Sequence, residues 1–256
     1  MVSGRPQDGA FAHYTVVPAT KAAILPDKIP FTEGVVVPFA LEAAVCALSL
    51  KEPGVAMPGV STPALGLPYP SVESVAPIGK VLFVNGGSAA VGAMVTQVAT
   101  AAGITVITTA SAKNLALCKS CGASEAFDRK DPQLADKVVE AVKATGHEFI
   151  GVFDAVSEAE AVETSLSVLT KLGGGHLACV HPPPPDVPEG VTPGMIFAVN
   201  DIATPVWEEF VTPALESGKI QCLPRPTVVG KGLEYINEAL KMSKAGVSAT
   251  KLVVEL

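Results

Sequence analysis

The residues best suited to chemistry lie in FVNGGSAAVGAMVTQ, Phe83–Gln97, between a short apolar run and a long apolar segment. A dinucleotide-binding turn needs one glycine for a tight bend. It needs a second for backbone approach to the pyrophosphate, and a third for close helix–strand packing. Read as G-x-x-A-x-x-G, Gly86, Ala89 and Gly92 hold those places. Alanine fills the middle one, and its methyl pushes a phosphate slightly outward. Gly87 adds flexibility and Ser88 a hydroxyl. The N–H groups of the following helix would face an anion. The same pattern also fits a tight turn in an α/β protein that binds no ligand.

Twenty residues on, an NAD-binding unit carries Asp or Glu for the ribose hydroxyls. Here the chain reads ITTASAKN, Ile107–Asn114, with Thr109, Ser111 and Lys113 and no acid. Hydroxyls and a cation suit a 2′-phosphate, which points to NADPH rather than NADH. The plainer alternative makes Ser111 a helix cap and Lys113 a solvated first-turn residue.

Other constellations carry less. Cys118 and Cys121 form C-x-x-C with no second ligand pair, so no metal site is expected. His13, His147, His176 and His181 are scattered. His181 ends a strand, where α/β sheets bind ligands, and anchors a loop or donates a proton. Asp154 also ends a strand and reads as a turn or cap residue. No Ser/His/Asp nucleophile arrangement stands out.

Positioning such a loop requires alternating strands and helices. From Lys80 the sequence predicts strands at Val81–Asn85, Ile104–Thr109, Glu125–Asp128, Phe149–Ala155 and His176–His181. The predicted helices are Ser88–Ala102, Ser111–Cys121, Asp131–Thr145 and Glu158–Leu172. That order specifies a doubly wound parallel (Rossmann) α/β sheet. HPPPPDVPEGVTPG, His181–Gly194, reads as a surface loop, and Met195–Asn200 as a further strand. Thr204–Ser217 and Gly232–Lys244 read as helices and Lys251–Leu256 as a strand. Upstream, Gly9–Val17 and Ala22–Leu25 read as short strands, Phe31–Leu50 as a helix interrupted near Pro38, and Glu52–Ala76 as a loop.

Composition agrees with buried parallel strands. Of 256 residues, 48% are hydrophobic and 17% charged. The apolar runs are short, so no membrane span is expected. A net charge of −7 without a Lys/Arg cluster argues against nucleic acid. Five scattered cysteines and the lack of an apolar leader in Met1–Ala12 point to a cytoplasmic protein.

With these residues in view, GKVLFVNGGSAAVGAMVTQVATAAGITVITTASAKN and CGASEAFD resemble the medium-chain dehydrogenase/reductase superfamily. Within it they resemble the fungal zinc-free group of quinone-oxidoreductase-like proteins and trans-acting enoyl reductases. GAFAHYTVVPATKAAILPDKIPFTEGVVVP is similar to the end of that family's GroES-like β domain, and GLEYINEALKMSKAGVSATKLVVEL to its C-terminus. The resemblance implies a GroES-like remnant over 1–40, a dinucleotide domain over 41–220, and a segment over 221–256 returning to the catalytic domain. It implies NADPH-dependent hydride transfer to an activated carbon–carbon double bond or a quinone of a small molecule. The chain would act as monomer or homodimer. Gly86, Gly87, Ser88, Ala89, Val91 and Gly92 would line the pyrophosphate. Ser111 and Lys113 would hold the 2′-phosphate with Arg129, which stands where relatives often have tyrosine. Val180, His181 and Phe197 would approach the ribose and nicotinamide. Three departures stand out, one being the alanines of the glycine loop. The chain starts well inside the GroES-like pattern, as a truncated protein would, and Ala43 replaces a threonine near the nicotinamide. A nucleotide-binding pseudoenzyme or repurposed scaffold is the alternative these departures leave open.

Overall fold

The computed structural model describes residues 11–256. Its elements in chain order are α1 (Phe31–Gly34), α2 (Val37–Ser49), β1 (Val55–Met57), β2 (Val60–Ser61), β3 (Lys80–Asn85), α3 (Ala90–Ala101), β4 (Thr105–Ala110), α4 (Leu115–Ser120), β5 (Glu125–Asp128), α5 (Leu134–Thr145), β6 (Glu148–Asp154), α6 (Ala159–Lys171), β7 (Gly175–Cys179), β8 (Val191–Met195), α7 (Val211–Ser217), β9 (Pro226–Lys231), α8 (Ile236–Ala245) and β10 (Lys251–Glu255). Six strands form one sheet in the order β5-β4-β3-β6-β7-β8, and every pairing is parallel. This is the doubly wound arrangement, with its switch point between β3 and β6.

Period-two alternation places the two cores. Leu82 and Val84 of β3 join one face with Leu41, Ala44, Val45, Met94, Val95 and Val98. Val81 and Phe83 join the other with Val138, Val142, Val168 and Leu169. Alanines at 40, 44 and 47 of α2 and at 99 and 101 of α3 are buried in the first core, where small side chains let the two helices pack closely. Burial of a side chain such as Phe83, fully inaccessible here, contributes about 1.5–3 kcal/mol. Phe31–Ser49 is apolar and long enough to span a membrane, but most of it is buried inside the protein.

The structure departs from the sequence expectations in several places. The sixth strand is Val191–Met195, not Met195–Asn200. Pro193 is tolerated because β8 is an edge strand, which needs ladder partners on one side only. Met195 is its last residue, and the chain then turns away. The described part of Gly9–Val17, and Ala22–Leu25, form no strand; no strand pairs with them among the described residues, and a short 3₁₀ turn covers Ala19–Lys21. The break in Phe31–Leu50 falls before Val37, and Pro38 opens α2 at a position that suits it. The helix from Thr204 contains a π-helical turn, Val206–Phe210. Pro226–Lys231, not expected as a strand, pairs in parallel with β10.

Candidate active site

The glycine turn is held from beneath by β4. Thr109 Oγ1 donates to Asn85 Oδ1 at 2.6 Å and accepts from the Gly86 N–H at 3.1 Å. The Gly87 N–H donates to the Thr109 carbonyl at 2.8 Å. Asn85 Nδ2 reaches the Ala161 carbonyl at 2.9 Å and Ser165 Oγ at 3.1 Å, joining the turn to α6. Thr109 is therefore a buried support for the turn, although it also borders a cavity there.

The glycines fill distinct roles. Gly86 has φ +87°, a left-handed conformation that favours glycine. A Cβ at Gly92 would lie 2.3 Å from the Gly86 carbonyl oxygen, so this position sets how closely α3 meets the turn. A Cβ at Gly87 would lie 2.0 Å from Thr108 Oγ1, which donates to the Val84 carbonyl at 2.6 Å. Gly87 thus serves packing on β4. Ala89, the middle position, has ordinary extended dihedrals and is the N-cap of α3. No side chain caps that helix, so its first N–H groups are available to an anion.

Two cavities meet at Ala89. One, of about 300 Å³, is lined by Gly86, Ser88, Ala89, Ser111, Asn114 and Arg129. Its other walls include Glu158 and Glu160 at the start of α6 and Val247–Ala249 before β10. Arg129 Nε donates to Ser111 Oγ at 3.4 Å, so the guanidinium and the hydroxyl share one wall. Ser111 makes no side-chain cap bond to the 3₁₀ turn that follows it. Lys113 is exposed and lies outside this lining, with Asn114 in its place. Asn114 Nδ2 donates to Ser248 Oγ at 3.1 Å, which ties the C-terminal segment to the rim.

The second cavity, of about 920 Å³, is lined by Val91, Val180, His181 and Phe197, and also by Lys21, Glu42, Ala43 and Trp207. Gly87 and Gly92 stand behind both cavities rather than in either lining. Asp154 is a support: its carboxylate accepts from Val156 N–H at 3.0 Å, Ser157 N–H at 2.7 Å and Ser165 Oγ at 2.8 Å.

Glu42 and Lys21 escaped the sequence reading. Glu42 Oε1 accepts from Trp207 Nε1 at 2.7 Å. Lys21 Nζ is 4.0 Å from Glu42 Oε1 and 3.7 Å from Asp201 Oδ1, and donates to the Asn200 carbonyl. Glu42 Oε2 is buried with no partner among the described residues. Burial raises the Glu42 pKa above its ordinary value, against the opposing pull of the Trp207 bond and Lys21. The available signal was a lone carboxylate in the apolar run VPFALEAAVCALS.

Cys118 and Cys121 are buried, and burial pushes their thiols up to about 11 and about 12, far from reactive thiolates. Among the described residues no group of three or more His, Cys, Asp or Glu side chains is placed to hold a metal ion.

Residues 90–198 match the family of zinc-binding dehydrogenases. Dehydrogenase orsE of Emericella nidulans is 70% identical over 257 residues, covering 100% of this chain and 74% of that protein. The chain belongs to the medium-chain dehydrogenase/reductase superfamily. Within this superfamily, trans-enoyl reductase himH of Aspergillus japonicus is 31% identical over 97% of this chain and 69% of its own length. A mycobacterial protein solved in complex with NADPH shares the fold, with TM-score 0.61 and 22% identity over 94% of this chain and 70% of its own. Membership makes the chain an oxidoreductase fold built for a nicotinamide cofactor. The zinc in the family's description finds no ligand set among the described residues.

Proposed function

We propose that this chain binds NADPH across the Gly86–Gly92 turn and reduces an activated carbon–carbon double bond, or a quinone, of a small molecule. The observation that carries the reading is the meeting of the two cavities at Ala89, over an uncapped helix N-terminus. A pyrophosphate at that junction puts the adenosine half in the smaller, polar cavity and the nicotinamide half in the larger, apolar one. Arg129 and Ser111 then serve the 2′-phosphate, because a guanidinium pairs with phosphate through two parallel N–H bonds. Arg129 is the basic residue of that lining, and Glu158 and Glu160 stand in it as well, so the preference for NADPH rests on Arg129. The relative named a trans-enoyl reductase and the neighbour solved with NADPH support the reading.

When bound, the reduced nicotinamide supplies a hydride. The chain's own residues orient the ring, through Val91, Val180, His181 and Phe197, and exclude water with an apolar lining. The test is NADPH consumption against a panel of short α,β-unsaturated thioesters, enones and quinones. The reading predicts turnover of at least one class. Binding without turnover across the panel favours a nucleotide-binding pseudoenzyme instead.

A further inference from the structure

We infer that Glu42 is the proton donor of the reduction, and that the substrate is accordingly an α,β-unsaturated carbonyl compound rather than a quinone. The inference rests on the reading of the chain as a nicotinamide-dependent reductase.

The geometry points to Glu42 through its two oxygens. Glu42 lines the larger cavity together with Ala89–Val91 on one side and Val180 and Phe197 on another. Oε1 is fixed by Trp207 Nε1 at 2.7 Å, which orients the carboxyl group. Oε2 is buried and has no partner among the described residues, an expensive state for a carboxylate oxygen. A protonated Oε2 needs an acceptor, and the cavity is where a ligand supplies one. Trp207 itself sits in the π-helical turn Val206–Phe210, an irregularity often found at functional sites.

The chemistry separates the two substrate classes. Hydride reaching the β-carbon of an unsaturated carbonyl compound carries two electrons. The π pair moves onto the α-carbon and carbonyl oxygen as an enolate. Glu42 Oε2–H then gives its proton to the α-carbon, forming the second C–H bond and leaving a carboxylate. Carbon protonation is slow without a positioned acid, whereas a hydroquinone oxygen exchanges freely with solvent. The carboxylate is recharged from the solvent side. Lys21, 7% exposed, lies between Glu42 and the exposed Asp201, and its cation also steadies the transient carboxylate.

The groups that set the ionisation of Glu42 come from several elements. Trp207 donates to it from the π-helical turn, Lys21 faces it from the 3₁₀ turn and Asp201 from the loop after β8; Cys46, one turn along α2, has its own thiol raised partly by Glu42. His181 and Lys251 share the cavity from β7's end and from β10. Burial is the largest influence and keeps the acid protonated to higher pH than an exposed glutamate. This is the state a donor needs.

Trp207 is the only tryptophan in the sequence, so its emission reports on the carboxyl it donates to. The experiment titrates that emission in the unliganded protein and follows NADPH-driven reduction of a crotonyl thioester in D₂O. Wild type is expected to show an emission step above the ordinary carboxyl range, absent in Glu42→Gln. Glu42→Gln keeps an acceptor for Trp207 and should bind NADPH unchanged. It should lose about 10²–10⁴-fold in kcat, with deuterium at the α-carbon losing its facial preference. Should Glu42→Gln fail to fold, Trp207→Phe removes the bond that lowers the Glu42 pKa, and the alkaline limb of its kcat profile should move up. An emission step that survives in Glu42→Gln, or full kcat in that variant, overturns the donor assignment while leaving the reductase reading intact. An unmoved limb in Trp207→Phe does the same. A wild-type protein that binds no NADPH overturns the reductase reading, and the donor assignment with it.

Discussion

Arg129 and Ser111, eighteen residues apart, meet at the rim of the smaller cavity, with Nε 3.4 Å from Oγ. The pair forms because β4 and β5 are parallel neighbours whose C-terminal ends lie side by side, with Ala110 opposite Asp128. Both residues follow those ends, and α/β sheets bind ligands there.

Removing the guanidinium should therefore cost affinity for the phosphate and nothing else. Arg129→Ala is expected to weaken NADPH binding about ten- to a hundredfold, the loss of a charged hydrogen-bonding group, and to leave NADH binding unchanged. Lys113→Ala should change neither, because Lys113 lies outside the lining. Calorimetric titration of each variant with both nucleotides decides it.

Gly92→Ala tests the turn. The added methyl would lie 2.3 Å from the Gly86 carbonyl oxygen, and backbone cannot swing aside as a flexible side chain does. Overpacking of this kind costs about 1–3 kcal/mol, read as a lower urea midpoint at unchanged slope. NADPH affinity should fall with it, since α3 would be displaced from the turn.

Asp154→Ala tests the support under the switch point. The carboxylate satisfies the N–H groups of Val156 and Ser157, and Ser157 holds a positive φ of 54°. Each buried donor left bare costs about 1–3 kcal/mol, so denaturation should show one of the largest losses of any polar substitution in the chain. Asp154→Asn, which keeps an acceptor for that turn, should recover part of it.

Glu42→Gln has a pH signature in stability. The folded carboxyl sits above its ordinary value of 4.5, chiefly because it is buried, so folding favours the neutral acid. That contribution is complete below pH 4.5 and is lost as pH rises through the folded value. Glutamine loses nothing over that range. The two proteins should melt together in acid, and the glutamine variant should melt higher as pH rises above 4.5, the gap reaching its full size at the folded value. Within that window the gap opens at about 1.4 kcal/mol per pH unit. Calorimetric melting of both across the range reads the gap directly.

Gly86 and Gly92 are legible in the sequence because their roles belong to the backbone and need only spacing. The parallel sheet is legible for the same kind of reason: apolar runs of strand length alternate with helices capped by glycine. Val191–Met195 is not, since its proline and glycine read as a loop and only its place at the sheet edge makes it a strand. The spacing points to Lys113, and the 3₁₀ turn Ala112–Asn114, which no spacing announces, puts Asn114 in the lining beside it. Glu42, Lys21 and Trp207 lie far apart in the chain, and only the packing of α2 against the segment around residue 207 brings them together.

The most direct measurement is the dissociation constant of the unmodified chain for NADPH and for NADH under identical salt and pH. Both nucleotides are expected to bind, NADPH the tighter, with that preference lost in Arg129→Ala. Absence of NADPH binding, or tighter binding of NADH, would contradict that expectation.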